Sequence, residues 1–600
     1  MTSPSRWDLS NVYPSLDSAE LEAAITTMQN QLDELERLCT ERLQAVDASS
    51  PISQVADLLG AIVERLNASI ELGATIRGYI YAFVAVDSHN AAARKKLSEY
   101  EQVSLRLQKA GTQFQSWVGK IAPRLDQAIP LNPVAQAHAF SLCETAEQAK
   151  FLMSGAEEVL AAELGLSGAR AWNKLQGTIT SQLSVDFELD GEVQKLPMPA
   201  LINLHSHPDE AVRRRAYEAE MQAWDSVREP LAACINGVKG AANTLDRHRG
   251  RDDALHAAID MARIDRPTLE AMLAAMQASF PTFRKYFHAK AKRFGKEKLA
   301  WWDVFAPVGN NEKTYTFDEA RQFIVTNFGK FSPDLAAFAQ RAFENHWIDA
   351  EQRQGKRGGA FCMAVPGVKE SRVLCNFDGS LDQVFTIAHE LGHAYHNECA
   401  YQAGKTAIQK QTPMTLAETA SIMCETIVMQ AILAQTDHPQ EELAIREVRL
   451  ISDAQVIVDI YSRYLFEKEV FERREESELS ADDLCDIMER AQQATYGDGL
   501  DENYRHKYMW TWKPHYYYAD LSFYNFPYAF GLLFGIGLYA IYQQRGAGFI
   551  TDYRNLLAST GEGSAAELAG RFGIDIRAPR FWQDSLAVIE KNIERYCTLP

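Results

Sequence analysis

The sequence predicts a mostly helical protein with a small β-component. Three observations carry that reading. Apolar positions in the first 180 or so residues recur at intervals of three and four, alternating texture is confined to two short segments (183–195 and 357–377), and no repeat of 20–50 residues is visible. In 19–47, Leu21, Ile25, Met28, Leu32, Leu35, Leu38 and Leu43 mostly line one face of a helix. Segments 55–80, 90–120 and 144–165 have the same texture, with breakers at 49–51 ("SSP"), 132–133 ("NP") and 167–168 ("SG"). In 183–195, Val185, Phe187 and Leu189 alternate with polar residues, and Asp190-Gly191 is a hairpin turn signal. After "LPMP" (196–199) helical texture resumes near 207, so the main boundary is expected at 195–205. Residues 1–200 then form an N-terminal helical region ending in a β-hairpin, and 201–600 a larger helical domain. The segment 357–377 reads as two short strands leading into the next helix.

Composition narrows the class. Of the 600 residues, 46% are hydrophobic and 24% charged, the proportions of a soluble globular protein rather than of a disordered, collagen-like or disulfide-scaffold chain. The 61 basic and 80 acidic residues leave a net charge of −19, which repels phosphate backbones and anionic membranes at long range. The densest basic run, 289–298, reads as a solvated helix end, and no nucleic-acid partner is expected. The nine cysteines are odd in number and none are spaced C-x-x-C, which argues against a structural zinc knuckle or a redox pair. The N-terminus has no signal-peptide pattern. The longest apolar stretch, 529–542, has 14 residues, fewer than the roughly 20 that span a bilayer, and reads as a buried core helix. A cytoplasmic location with reduced thiols and no membrane partner is the simplest expectation; oligomeric state is not legible.

The chemistry is concentrated in "VFTIAHELGHAYH" (384–396). His389 and His393 stand at i and i+4, so on a helix both imidazoles reach one cation. Glu390 points about 100° round the axis, placed to touch a water at that cation rather than to bind it. Such sites usually offer three protein ligands and one open position, so a third ligand is expected from elsewhere. The next helix begins near 411–428, with Thr412 a good N-cap and Pro413 suited to the first helical position. Glu418 follows 25 residues after His393, and Glu425 two turns later on the same face, where it would orient a ligand imidazole. Bland readings stand beside these. Thr415 and Glu418 fit a capping box, Glu425 a solvated or ion-paired side chain, and His396 an exposed one.

Taken together, "HELGH" followed by a glutamate within "AETAS" resembles the thimet-oligopeptidase-like zinc metallopeptidases, in particular their oligoendopeptidase F branch. The segments "WWDVFAPV" (301–308), "KRGGAFC" (356–362), "VLCNFDGSLDQVFTIAHELGHAYH" (373–396) and "PHYYYADLSFYNFPYAFG" (514–531) agree with it, and the similarity covers most of 200–590. The resemblance implies a two-lobed helical fold with a deep channel and a small sheet near the active site, acting on short unstructured peptides. It implies one Zn2+ held by His389, His393 and Glu418, with Glu390 as general base. It also implies a histidine and one or two tyrosines from the tyrosine-rich segment. His515 and Tyr524 are the expected pair, Tyr517 the main rival, and aromatic packing accounts for most of the other tyrosines. A zinc carboxypeptidase or dipeptidase of similar chemistry and a non-catalytic helical peptide-binding protein are the alternatives. No phosphate-loop, dinucleotide-binding or nucleophile-elbow motif supports another enzyme class.

Overall fold

A computed structural model describes residues 4–309 and 313–600. The chain forms two compact units, each drawn from three segments. The first comprises Met1–Phe151, Lys313–Ile432 and Ile541–Gly573, the second Leu152–Glu312, Leu433–Ala540 and Ile574–Pro600.

The first unit opens with three long helices, Ala19–Arg42, Ile52–Val86 and Ala91–Ile121. Side chains of Ser18 and Asn90 cap the first and third by accepting from Leu21 and Ala93 amides. Leu21, Met28, Leu32 and Leu35 of the expected stripe are buried, whereas Ile25, Leu38 and Leu43 are only partly so. The helices meet in two apolar clusters, one around Trp117, Leu59 and Ile121, the other around Tyr79, Ile80 and Leu32. Strands Phe361–Val365 and Glu370–Leu374 pair antiparallel, as the sequence suggested. A third strand, Ile348–Asp349, joins Glu370–Leu374 in parallel and was too short to show any period. The N-terminal segment docks on it, with Asp8 N–H donating to His346 C=O and Ala350 N–H to Ser5 C=O, both at 2.8 Å. Sheet order leaves Phe361–Val365 at one edge. The helix Leu381–Gln402 packs on this sheet and is capped by Ser380.

The second unit holds the β-hairpin Ser184–Leu189/Glu192–Pro197, turned at Asp190 and Gly191 with φ of 54° and 81°. Its core is made by long helices including Glu210–His248, Arg266–Arg293, Ile460–Glu476 and Pro579–Thr598. The expected single helix over 144–165 is interrupted. Ala139–Ala149 ends, and Gly155–Ser167 starts afresh from a capping box between Ser154 and Glu157. That Ser-x-x-Glu signal was in the sequence. The basic run 289–298 is not simply solvated. Lys290 is buried 2.6 Å from Glu447, and Lys296 pairs with Asp303 at 2.6 Å. Asp303 of "WWDVFAPV" is itself buried and also takes Arg213 at 2.9 Å, an ion triad that orders the segment.

Met414–Leu433 and Phe526–Ala558 are long and apolar enough to cross a membrane by length and composition. Most of each is buried inside the protein, as in core helices. All nine cysteines are free.

Candidate metal centre

The helix Leu381–Gln402 presents His389 and His393 one turn apart, their ring centroids 4.9 Å apart and nearly perpendicular. Glu418 comes from the junction between the short helix Met414–Ala417 and the helix Thr419–Leu433. The two elements approach closely because Gly392 has no side chain. A Cβ there would stand 2.5 Å from Ser421 Cα and 2.6 Å from Ala420 O. Among the described residues, His389, His393 and Glu418 form a group whose ligand atoms all lie within 4.8 Å of one another.

The donor set fits a tetrahedral cation. Donors about 2.0–2.1 Å from such an ion stand roughly 3.3–3.4 Å apart. Glu418 Oε2 lies 3.3 Å from His389 Nε2 and 3.4 Å from His393 Nε2. The three side chains are 26%, 23% and 22% exposed, so the group is not sealed from solvent. Two of the donors are oriented from behind. Glu425 Oε2 stands 3.3 Å from His389 Nδ1, and Ser421 Oγ donates to Glu418 Oε2 at 2.7 Å. The capping-box reading of Glu418 therefore fails, because its carboxylate faces the imidazoles and Ser421.

Glu390 is 6% exposed, and its Oε2 is buried without a hydrogen-bond partner. Burial pushes its carboxyl up to about 7, against the pull of His389 and with the help of Glu418. Burial opposes charge on His389, but Glu425 and then Glu418 and Glu390 outweigh it and raise the imidazole to about 9. Burial holds His393 down at about 4. A cation at the three donors would neutralise this concentration of carboxylates.

His515 and Tyr524 lie in the second unit. His515, in the turn Pro514–Tyr517, stacks on Tyr524 at 5.9 Å with ring planes 23° apart. Its Nε2 is buried without a hydrogen-bond partner, and burial together with Arg463 and Lys513 keeps the ring neutral. The Tyr524 and Tyr528 hydroxyls share a 2.5 Å hydrogen bond. Tyr517 is fully buried and its hydroxyl donates to the Trp510 carbonyl at 3.1 Å. Two expectations are corrected. His396 is buried rather than exposed, and Thr412 does not cap a helix. The helix starts at Met414 behind Pro413, and the Thr412 hydroxyl meets Thr560 Oγ1 at 2.7 Å. Ser421 was missed, and only its i+3 spacing from Glu418 pointed to it.

The profile of peptidase family M3 matches residues 203–588. Oligoendopeptidase F, chromosomal, of Lactococcus lactis subsp. cremoris is 24% identical over 64% of this chain and 63% of its own length. An oligoendopeptidase F homolog of Lactococcus lactis subsp. lactis is 22% identical over 98% of this chain and 97% of its own. The crystal structure of oligoendopeptidase-F from Enterococcus faecium superposes with a TM-score of 0.69 at 16% identity, covering 96% of this chain and 98% of that one, which shows a shared fold. The match over most of the chain, together with the histidine–glutamate group it contains, places this protein in peptidase family M3.

Proposed function

We propose that this chain is a zinc-dependent oligoendopeptidase that cuts internal bonds of short unstructured peptides in the cytoplasm. That it is a metallopeptidase follows from its family; the metal's identity, the internal cut and the location are the proposed part. The observation that carries it is the convergence of His389, His393 and Glu418 beside the unpartnered Glu390 Oε2. Imidazole and carboxylate donors in a three-plus-one arrangement suit zinc. The profile match supports reading 201–600 as the catalytic region, with 1–200 as an N-terminal helical region.

His389, His393 and Glu418 would hold the ion. Bound there, it supplies Lewis-acid chemistry, lowering the pKa of a water from 15.7 towards about 7 and polarising the scissile carbonyl. Glu390 accepts the water's proton at Oε2 and returns it to the leaving amine. Glu425 at His389 Nδ1 fixes the tautomer that turns that ring's Nε2 towards Glu418. The family resemblance gives His515 and the Tyr524 hydroxyl the role of donors to the developing oxyanion, which in such sites is worth about 2.7–4 kcal/mol per donor. Tyr524 is favoured over Tyr517, whose hydroxyl is committed to Trp510. The edge strand Phe361–Val365 offers backbone groups to an extended peptide, with open space at Gly358 and Gly359. Main-chain recognition of this kind gives broad sequence tolerance.

A quenched peptide assayed with and without chelator, followed by mass spectrometry of the fragments, tests this reading. Internal fragments that vanish with chelator and return with zinc support it. Fragments cut only near a terminus favour the carboxypeptidase or dipeptidase reading, and no cleavage at all favours the peptide-binding one.

A further inference from the structure

His396 lies on the same helix face as His389, two turns on, since seven residues advance the helix by nearly two full rotations. That places it about 10 Å along the axis, too far to share a cation with His389. Its ring is nevertheless buried, at 7% exposure. Nε2 stands 2.9 Å from Thr560 Oγ1. Thr560 is 3% exposed, and its hydroxyl meets that of Thr412 at 2.7 Å. The Thr560 hydroxyl donates to the Leu557 carbonyl at 3.3 Å, so it accepts from His396 Nε2–H and from the Thr412 hydroxyl, and one oxygen joins the three side chains.

The partners matter more than the ring. Thr412 immediately precedes the Pro413–Ala417 turn that ends on Glu418. The turn around Thr560 is pressed against the same segment. A Cβ on Gly561 would lie 2.1 Å from Gln409 O, so only glycine allows the approach that brings Thr560 to Thr412. Three separate pieces of chain, 396, 409–412 and 560–561, are thereby joined at one buried polar point, six residues ahead of Glu418.

We propose that His396 is a positioning residue for the metal. Acting through Thr560 and Thr412, it fixes the Pro413–Glu418 turn and so sets where the Glu418 carboxylate stands relative to His389 and His393. The proposal rests on the reading that those three residues hold the ion.

Zinc affinity measured by chelator competition, with the absorption spectrum of the cobalt-substituted protein, tests it in Thr560→Val and His396→Phe. Both remove the hydrogen bonds while nearly keeping volume. We expect zinc affinity to fall about ten- to a hundredfold, the range for groups that orient metal ligands, with altered cobalt bands. Thr560→Ser and His396→Gln should restore most of it, and the metal-free melting temperature should change little. Unchanged affinity and spectrum in both variants would overturn the proposal. So would an affinity loss matched by a fall in metal-free stability and not rescued by Thr560→Ser. If the wild-type chain binds no metal and His389→Ala makes no difference, the metal reading itself fails. If wild type binds one ion tightly and the four variants do the same, only the positioning role fails.

Discussion

Glu390 and Glu425 illustrate how neighbouring carboxylates take different roles from their surroundings. Glu390 is buried with one oxygen unpartnered, whereas Glu425 spends an oxygen on His389 Nδ1 at 3.3 Å. Glu390→Gln keeps size and removes the proton acceptor. We expect bound metal and melting temperature to stay at wild-type levels while kcat falls by at least about a hundredfold. Loss of metal along with activity would instead make Glu390 a ligand. Glu425→Gln should weaken metal affinity about ten- to a hundredfold, with kcat largely recovered at saturating metal. Unaltered affinity would reduce Glu425 to an ordinary ion-pairing residue. At this scale the sequence was informative where side chains obey a period. His389, Glu390 and His393 are readable from helical spacing alone. Glu418 was legible only as one of two readings, because the same residue at the same offset from Thr415 suits a cap. His515 and Tyr524 were ambiguous because an aromatic run carries no mark of which hydroxyl is committed elsewhere, as Tyr517's is to Trp510.

The metal group depends on how closely two helices pack. Gly392 lets the helix Leu381–Gln402 approach the backbone at Ala420 and Ser421, the carbonyl and Cα that a Cβ would strike at 2.6 and 2.5 Å. Neither atom is the end of a flexible side chain. Gly392→Ala should therefore cost about 1–3 kcal/mol, the usual range for overpacking. It should also weaken metal binding by moving Glu418 away from the histidines. Parallel chemical denaturation and metal titration check both, and a stable variant with normal affinity would show that the spacing is not critical. The segments read from 19 and from 90 start where the structure has helices capped by Ser18 and Asn90. The break at 150–154 was overlooked although Ser154 and Glu157 marked it. The strand Ile348–Asp349 left no signal, since two residues cannot show alternation and its partner lies 25 residues away.

Across the whole molecule, the helical class and the small sheets follow from periodicity, but the grouping into two compact units does not. Each unit gathers three segments, most of them separated by more than a hundred residues, and contacts such as Ser5 with Ile348 and Ala350 have no local signature. The consequence testable at this scale is linkage. On the proposed reading a metal binds only the folded arrangement, because Glu418 lies 25 residues beyond His393 and folding brings the two together. It should stabilise the protein by about 2.7 kcal/mol at a free concentration of about a hundred times Kd. Calorimetry with and without chelator should show a transition that moves up with added zinc. A transition indifferent to metal would mean that the ligands are not brought together by folding.

The most direct test of the central claim is anomalous diffraction at the zinc edge, on crystals of protein that cleaves peptide. The account predicts one strong peak within about 2.0–2.2 Å of His389 Nε2, His393 Nε2 and a Glu418 oxygen. An active preparation with no peak there, or with Glu418 turned away from it, would contradict the account.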